Sequence, residues 1–194
     1  MEGAYYHTDD SADEYIRLAE GHSGANLIEQ FKKFLAANSS VLEIGSGPGT
    51  DWEILKDDFD VTGSDNSKAF LKRLSVKYPN EAFLQLDAAT LAVDQTFDGI
   101  YSNKVLHHLQ DDELQASIKK QQALLTPGGL VCHSFWKGTD SEVFKGMFVN
   151  YHTVADIQSY FGKYFETLLL EEYPEFEAGD SLLYIGRKNS RKKN

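Results

Sequence analysis

Three glycines alternate in the stretch Val41-Leu42-Glu43-Ile44-Gly45-Ser46-Gly47-Pro48-Gly49-Thr50-Asp51. Glycine admits positive φ and lets a ligand approach the main chain with no Cβ in the way. A short apolar strand that feeds a helix through such a loop places a ligand at the carboxyl edge of a sheet, where open α/β folds bind nucleotides. Loops that cradle a dinucleotide carry a glycine where this chain has Thr50. Glu43, two residues before the first glycine, would repel a pyrophosphate. It suits a ligand that carries positive charge, held directly or through backbone amides.

Two further sites can do chemistry. Asp65 closes the second predicted strand, at 59–64, and an acid at the end of a second strand accepts hydrogen bonds from ribose hydroxyls in nucleotide-binding α/β folds. The alternative role for Asp65 is to cap the helix that follows. His107 and His108 come after a strand at 97–102. Imidazole titrates near neutrality, so one of them is a candidate general base. Adjacent side chains diverge, so His108 is assigned to the substrate side and His107 to a structural role. No carboxylate or third histidine stands at metal-ligand spacing beside them, and no metal is expected.

The elements that must position these groups read as an alternation of strands and helices. Ser11-x-x-Glu14 is a capping-box pattern that predicts a helix from about residue 12. A second helix from about Ser23 buries Leu27, Ile28, Phe31, Phe34 and Leu35 at helical spacing. Strands are predicted at 41–44, 59–64, 81–86, 97–102, 130–136, 164–173 and 180–186, with helices at 50–56, 67–77 and 111–125. The last of these helices begins with Asp111, Asp112 and Glu113 and carries Lys119 and Lys120 later, as the helix dipole prefers. Residues 137–152 hold Glu142, Phe144, Met147, Phe148 and Tyr151, a pattern open to an amphipathic helix or to a segment that shapes a pocket. Thr153 caps one more helix with Val154, Ile157 and Phe161.

On these residues the chain resembles the class I S-adenosylmethionine-dependent methyltransferases. Residues 41–49 satisfy that family's first motif, two hydrophobic residues, an acid, a hydrophobic residue and Gly-x-Gly-x-Gly. Asp65, the strand-four stretch into Asn103-Lys104-Val105-Leu106-His107-His108, and the Thr126-Pro127-Gly128-Gly129 turn follow in the family's order. The resemblance covers residues 40–136. It implies that Glu43, Gly45, Ser46, Gly47, Gly49 and Asn103 hold the cofactor, and that Asp65 and Asn66 meet its ribose and adenosine part. It further implies that Asp87 and the Ala88 amide meet the adenine edge, a carboxylate accepting from the exocyclic amine and an N–H donating to a ring nitrogen. The N-terminal helices would close over the cofactor, so Tyr5, Tyr6 and Tyr15 are candidate lid contacts, ordinary packing being equally open. Tyr6, Tyr15, Phe135 and Tyr151 are the candidate acceptor contacts.

Composition narrows the partners. Thirty acids stand against 19 bases, and five of those bases fall in the last eight residues. The rest of the chain holds 30 acids against 14 bases, a balance that disfavours a nucleic-acid substrate, because phosphate contacts need basic surface. The single cysteine, Cys132, excludes an internal disulfide and a cysteine metal cluster. No apolar run reaches membrane-spanning length and the start lacks a basic-then-apolar signal, so a cytoplasmic protein is expected.

The expected architecture is one α/β domain over residues 1–194, a Rossmann-like seven-stranded, mostly parallel sheet with strand 7 antiparallel and helices on both faces. Residues 1–36 would form the lid, 40–136 the cofactor-binding core, 137–188 the acceptor side and final strands, and 189–194 a basic tail. The expected activity is transfer of a methyl group from S-adenosylmethionine to a small-molecule acceptor by in-line displacement, with S-adenosylhomocysteine as product. Such a transfer mainly needs alignment and exclusion of water, which leaves the acceptor atom open among O, N, C and S. A non-catalytic protein that binds S-adenosylmethionine or a partner, and an NAD-dependent oxidoreductase, are the rival readings; Thr50 and Glu43 count against the latter.

Overall fold

Val41, Leu42 and Ile44 are all buried, as a strand covered on both faces requires. They form β1 (Ser40–Ile44), the centre of a seven-stranded sheet, in the computed structural model of the protein, which describes residues 8–19 and 21–189. Before β1 lie α1 (Asp9–Leu18) and α2 (Ala25–Lys32). After it come α3 (Thr50–Leu55), β2 (Asp60–Asp65), α4 (Lys68–Lys77), β3 (Phe83–Gln85), β4 (Phe97–Asn103), α5 (Asp111–Leu124) and β5 (Leu125–Trp136). The chain continues through β6 (Ser141–Phe144), β7 (Met147–Asn150), α6 (Val154–Phe161), β8 (Phe165–Tyr173) and β9 (Ser181–Lys188).

The sheet runs in the order β3-β2-β1-β4-β5-β9-β8. All pairings from β3 to β5 are parallel, and β9 runs antiparallel to both of its neighbours. This is the expected seven-stranded architecture. Its strand order reverses between β1 and β4, whose following loops diverge and leave a crevice at the carboxyl edge. Register brings Ile44 beside Ser64 and Asn103 beside Ser134 along that edge.

Neighbouring residues on each strand face opposite ways. Leu42, Ile100, Val131 and Leu182 pack with Leu114, Ile118, Ile157 and Phe161 of α5 and α6. Val41, Tyr101, Leu130, Cys132 and Leu183 pack on the other face with Leu27, Ile28 and Phe31 of α2 and Leu55 of α3. Helices therefore cover both faces. Among the described residues, no helix is long and apolar enough to cross a membrane.

The structure corrects several expectations. Thr8, not Ser11, caps α1: its side chain accepts from the Ser11 amide, and Ser11 returns a bond to the Thr8 amide. Ser11 thus sits at the position that Glu fills in a capping box. Phe34, beyond the end of α2, is 38% exposed instead of buried. Residues 141–150 are an antiparallel hairpin, not a helix, turning at Lys145 and Gly146 with φ of 50° and 80°. Tyr5, Tyr6 and the end of the basic tail, residues 190–194, lie outside the described residues.

Candidate functional site

The glycine loop is tied down by a knot of short polar bonds. The Ser46 hydroxyl donates to Glu43 Oε2 and accepts from the Ser64 amide at 3.1 Å. Ser64 Oγ donates to the Glu43 carbonyl at 2.7 Å. Glu43 is fully enclosed, and burial pushes its carboxyl up to about 8 against the lowering pull of Ser46, with Asp51 and Asp65 adding to the rise. Beyond the loop, the Asp51 carboxylate accepts from the Gly24 amide at 2.7 Å, the Tyr101 hydroxyl at 2.8 Å and Asn103 Nδ2 at 3.0 Å. One carboxylate at the start of α3 thereby joins the entry of α2 to the end of β4.

Two cavities that share lining residues open along the carboxyl edge. The first, about 480 Å³, runs from Gly45 and Gly47 past Asp65, Asn66, Asp87 and Ala88, with apolar walls from Phe70, Leu86, Val105 and Leu109. Gly47 has φ of +50°, and a Cβ built on it would meet only Tyr15 Cε1, at 3.8 Å, so its face is open. A Cβ on Gly45 would lie 2.5 Å from Val105 Cγ2, so that glycine is set by packing. Asp87 Oδ1 accepts from the amides of Ala89 and Thr90 at 2.7 and 3.2 Å, which folds the loop after β3 into a turn.

The second cavity, about 360 Å³, shares Tyr15, Gly47, Asn103, Lys104 and His108 with the first and adds Glu43, Asp51, His107, Trp136, Glu175 and Phe176. Lys104 follows β4 with φ of 53°, a conformation side chains rarely adopt. Its Nζ donates to the Phe135 carbonyl at 3.0 Å and to Ser181 Oγ at 2.6 Å, and lies 3.5 Å from the centroid of Trp136. Burial lowers its amine to about 7, with Glu175 and Asp180 opposing. His107 and His108 sit with ring centroids 4.0 Å apart. His108 Nδ1 bonds the Phe148 carbonyl at 2.7 Å, so the proton is on Nδ1 and the lone pair on Nε2. Burial lowers the His108 pKa, partly offset by that carbonyl, and lowers His107 well below its usual value, its neighbours His108, Lys104 and His152 adding to the effect.

The structure brings Glu43, Gly45, Ser46, Gly47, Asp65, Asn66, Asp87, Ala88, Asn103, His108 and Tyr15 to these cavities. Gly49 lines neither: a Cβ there would lie 2.7 Å from Leu74 Cδ2, under α4. Phe135 is fully buried in the core among His133, His152 and Phe161, because the alternation along β5 turns its neighbour Trp136 to the cavity instead. Tyr151 lies outside both cavities, its hydroxyl donating to Glu142 at 2.6 Å. Tyr6 is not among the described residues. Sequence reasoning missed Asp51, Lys104, Trp136 and Glu175. Only Asp51 carried a signal, as an acid in the first turn of a helix beside the loop.

Comparison with known proteins agrees with this geometry. A family described as a methyltransferase domain matches residues 41–129. A trans-aconitate 2-methyltransferase of Variovorax paradoxus is 38% identical over 95 residues, 47% of this chain and 36% of that protein. The chain therefore aligns with little more than a third of that curated relative's length. Among solved structures, the 1,6-didemethyltoxoflavin N1-methyltransferase of Burkholderia thailandensis, with its substrate and S-adenosylhomocysteine bound, superposes with a TM-score of 0.77. The pair is 18% identical, covering 96% of this chain and 84% of the other. The N-methyltransferase NodS of Bradyrhizobium japonicum, in complex with S-adenosylhomocysteine, gives 0.73 at 17% identity over 93% and 98% of the two chains. The fold is that of the class I S-adenosylmethionine-dependent methyltransferases. The match to the methyltransferase-domain family lies within residues 41–129, the segment that holds the glycine loop and strands β1 to β4.

Proposed function

We propose that the protein is an S-adenosylmethionine-dependent methyltransferase that acts on a small-molecule acceptor. The observation that carries the reading is the open face of Gly47, which lines both cavities, beside Asp65 in the first and Glu43 in the second. No Lys or Arg other than Lys104 lines either cavity, which suits a cationic cofactor and not a pyrophosphate.

In this reading Asp65 accepts from the ribose hydroxyls, Asn66 lines the adenosine, and Asp87 with the Ala88 amide meets the adenine edge between Phe70, Leu86 and Val105. Gly45, Ser46, Gly47, Asn103 and Glu43 surround the methionine part. S-adenosylmethionine supplies a methyl group already activated by its positive sulfonium. The chain's own work is then to align the acceptor and exclude water. Tyr15 on α1 borders both cavities and serves that closure. His108, neutral and with its lone pair on Nε2, is the residue placed to take a proton where the acceptor has one to lose. The proposed setting is the cytoplasm, in keeping with one buried, unpaired thiol, Cys132.

Titration calorimetry with S-adenosylhomocysteine, with NAD as control, tests the reading. Micromolar binding of the former alone is expected. Binding of NAD alone, or of neither, would sink it.

A further inference from the structure

Building on the methyltransferase reading, the second cavity also specifies the chemistry of the acceptor. Its lining includes Asp51 and Glu175, beside a Glu43 that burial keeps protonated near neutral pH, against one Lys and no Arg. That lysine, Lys104, is committed to the Phe135 carbonyl, to Ser181 Oγ and to the face of Trp136. Asp51 is likewise committed to three donors from the chain. The Glu175 side chain forms no ion pair with a Lys or Arg among the described residues, although Lys104 and Tyr173 lie within its electrostatic reach. An acceptor with several carboxylates would meet like charge here and find no uncommitted cation. Like unit charges 4 Å apart repel by about 4 kcal/mol at an effective dielectric of about 20.

The rim has the opposite character. Leu18 at the end of α1, Phe144 on β6 and Phe176 in the loop at 174–180 line the cavity and remain 59%, 51% and 67% exposed. Three of the largest exposed apolar side chains thus converge from three separate elements on one mouth. Phe176 stacks on Trp136 at 5.8 Å with 23° between the planes, and the His22 ring lies 5.0 Å from it. The loop that carries Phe176 is held by Asp180, whose carboxylate accepts from the amides of Glu175, Phe176 and Glu177 at 2.8, 2.9 and 3.0 Å. At the inner end, His107 is only 3% exposed, yet its Nδ1 has no hydrogen-bond partner among the described residues. A buried polar atom left without a partner costs about 1–3 kcal/mol, and a ligand that bonds it recovers that cost.

We propose that the acceptor is an amine carried on a flat apolar body, with the amine held between Glu175 and His107 and the body lying against Trp136, Phe176 and Phe144. Glu175 supplies the charge that draws the ammonium form in, and a neutral His107 accepts a hydrogen bond from the nitrogen. The nitrogen loses one proton to solvent before its freed lone pair forms the N–C bond to the methyl group, while the S–C bond breaks with its electron pair going to sulfur and S-adenosylhomocysteine leaving. The aromatic rim sets the preference for a planar body.

The test is calorimetric titration of tryptamine, indole-3-acetate and trans-aconitate into the protein saturated with S-adenosylhomocysteine. It is paired with release of S-adenosylhomocysteine from S-adenosylmethionine in the presence of each. Tryptamine should bind at least about tenfold more tightly than either anion, a difference of about 1.4 kcal/mol, and should alone be turned over. Glu175→Gln should weaken tryptamine about fivefold or more, within the range of a lost charge-assisted bond, and leave the affinity for S-adenosylhomocysteine unchanged. Anions that bind as well as the amine, or a complex that binds none of the three, would overturn the inference while leaving the methyltransferase reading standing. Failure to bind S-adenosylhomocysteine would overturn that reading itself.

Discussion

The main-chain amide of Gly47 donates to Oδ2 of Asp65 at 2.9 Å, linking the loop after β1 to the end of β2. The other carboxylate oxygen accepts from the Ser67 amide at 2.7 Å, at the entry to α4. Asp65 therefore holds the glycine loop and the next helix at once, and it still lines the first cavity. Ser67, not Asp65, caps α4, its side chain accepting from the Phe70 amide at 3.3 Å. Asp65's hold on the Ser67 amide is compatible with a ligand role, since a carboxylate offers about four lone-pair sites. Asp65→Ala removes both bonds. Hydrogen bonds to charged groups contribute about 1.5–3 kcal/mol each, so urea unfolding should show a loss of that order. Calorimetry should show S-adenosylhomocysteine affinity falling about tenfold or more. Asp65→Asn keeps one acceptor oxygen and should lose less in both measurements.

Gly45 and Gly47 should respond differently to a side chain. A Cβ on Gly47 enters open cavity space, so Gly47→Ala pays chiefly the left-handed strain, about 1–2 kcal/mol. Gly47→Arg should fill the cavity and abolish S-adenosylhomocysteine binding, with circular dichroism showing the fold retained. Gly45→Ala, pressed into Val105 at 2.5 Å, should instead lower the melting temperature more than Gly47→Ala does. Equal effects at the two positions would show that the loop's open face has no part in binding.

Most of the sheet was legible because its signals are local. Apolar runs such as 41–44 and 130–136 stay buried on both faces. The Thr126-Pro127-Gly128-Gly129 stretch, expected as a turn after the helix, lies instead inside β5, which begins at Leu125 directly after α5. The hairpin at 141–150 was not legible because Glu142, Phe144, Met147 and Phe148 fit both helical and extended spacing. Only Lys145-Gly146, at the tight turn, marks it. Lys104 gave no sign at all, since its burial is supplied by Phe135, Trp136, Tyr173 and Ser181, which are distant in sequence. Likewise the sequence reading points to Phe135 as the pocket aromatic, whereas alternation along β5 turns Phe135 into the core and Trp136 to the cavity. Pair-specific contacts between distant elements are the part that composition and period do not encode.

A directional chain of hydrogen bonds crosses the core to the adenine side of the site. The Ser117 hydroxyl donates to the Ala88 carbonyl at 2.6 Å and accepts from Gln121 Nε2 at 3.3 Å. Gln121 Oε1 must then accept from His133 Nε2 at 2.8 Å, which leaves His133 Nδ1 to accept from Ser102 Oγ at 2.8 Å. The chain needs a neutral imidazole, and burial lowers His133 to about 3. An unfolded histidine titrates near 6.5, so between those values the unfolded state binds the extra proton. Stability fully present above about pH 6.5 should therefore fall as pH drops toward about 3. His133→Phe should flatten that part of the stability profile while costing about 1–3 kcal/mol near neutral pH from stranded partners. Ser117→Ala should weaken S-adenosylhomocysteine several-fold by freeing the Ala88 segment. Unchanged affinity would make the chain purely structural.

Glu43 titrates with the opposite sign. Burial holds its carboxyl at about 8, above the ordinary 4.5, so the folded state binds the extra proton between those values. Its contribution to stability is fully present below the unfolded value and is lost as pH rises through about 8. A positive sulfonium beside it would favour the ionised form, whereas the neutral thioether of S-adenosylhomocysteine would not. Binding of S-adenosylmethionine near neutral pH should therefore release a proton that the product's binding does not. Calorimetric enthalpies compared in phosphate and Tris buffers read this directly, as a slope approaching one proton for the cofactor and near zero for the product. Glu43→Gln should erase the difference and raise stability relative to the parent above about pH 8, where the parent carries a buried charge. Equal slopes for the two ligands in the parent protein would place the sulfonium away from Glu43, and the orientation of the cofactor in these cavities would have to be reversed.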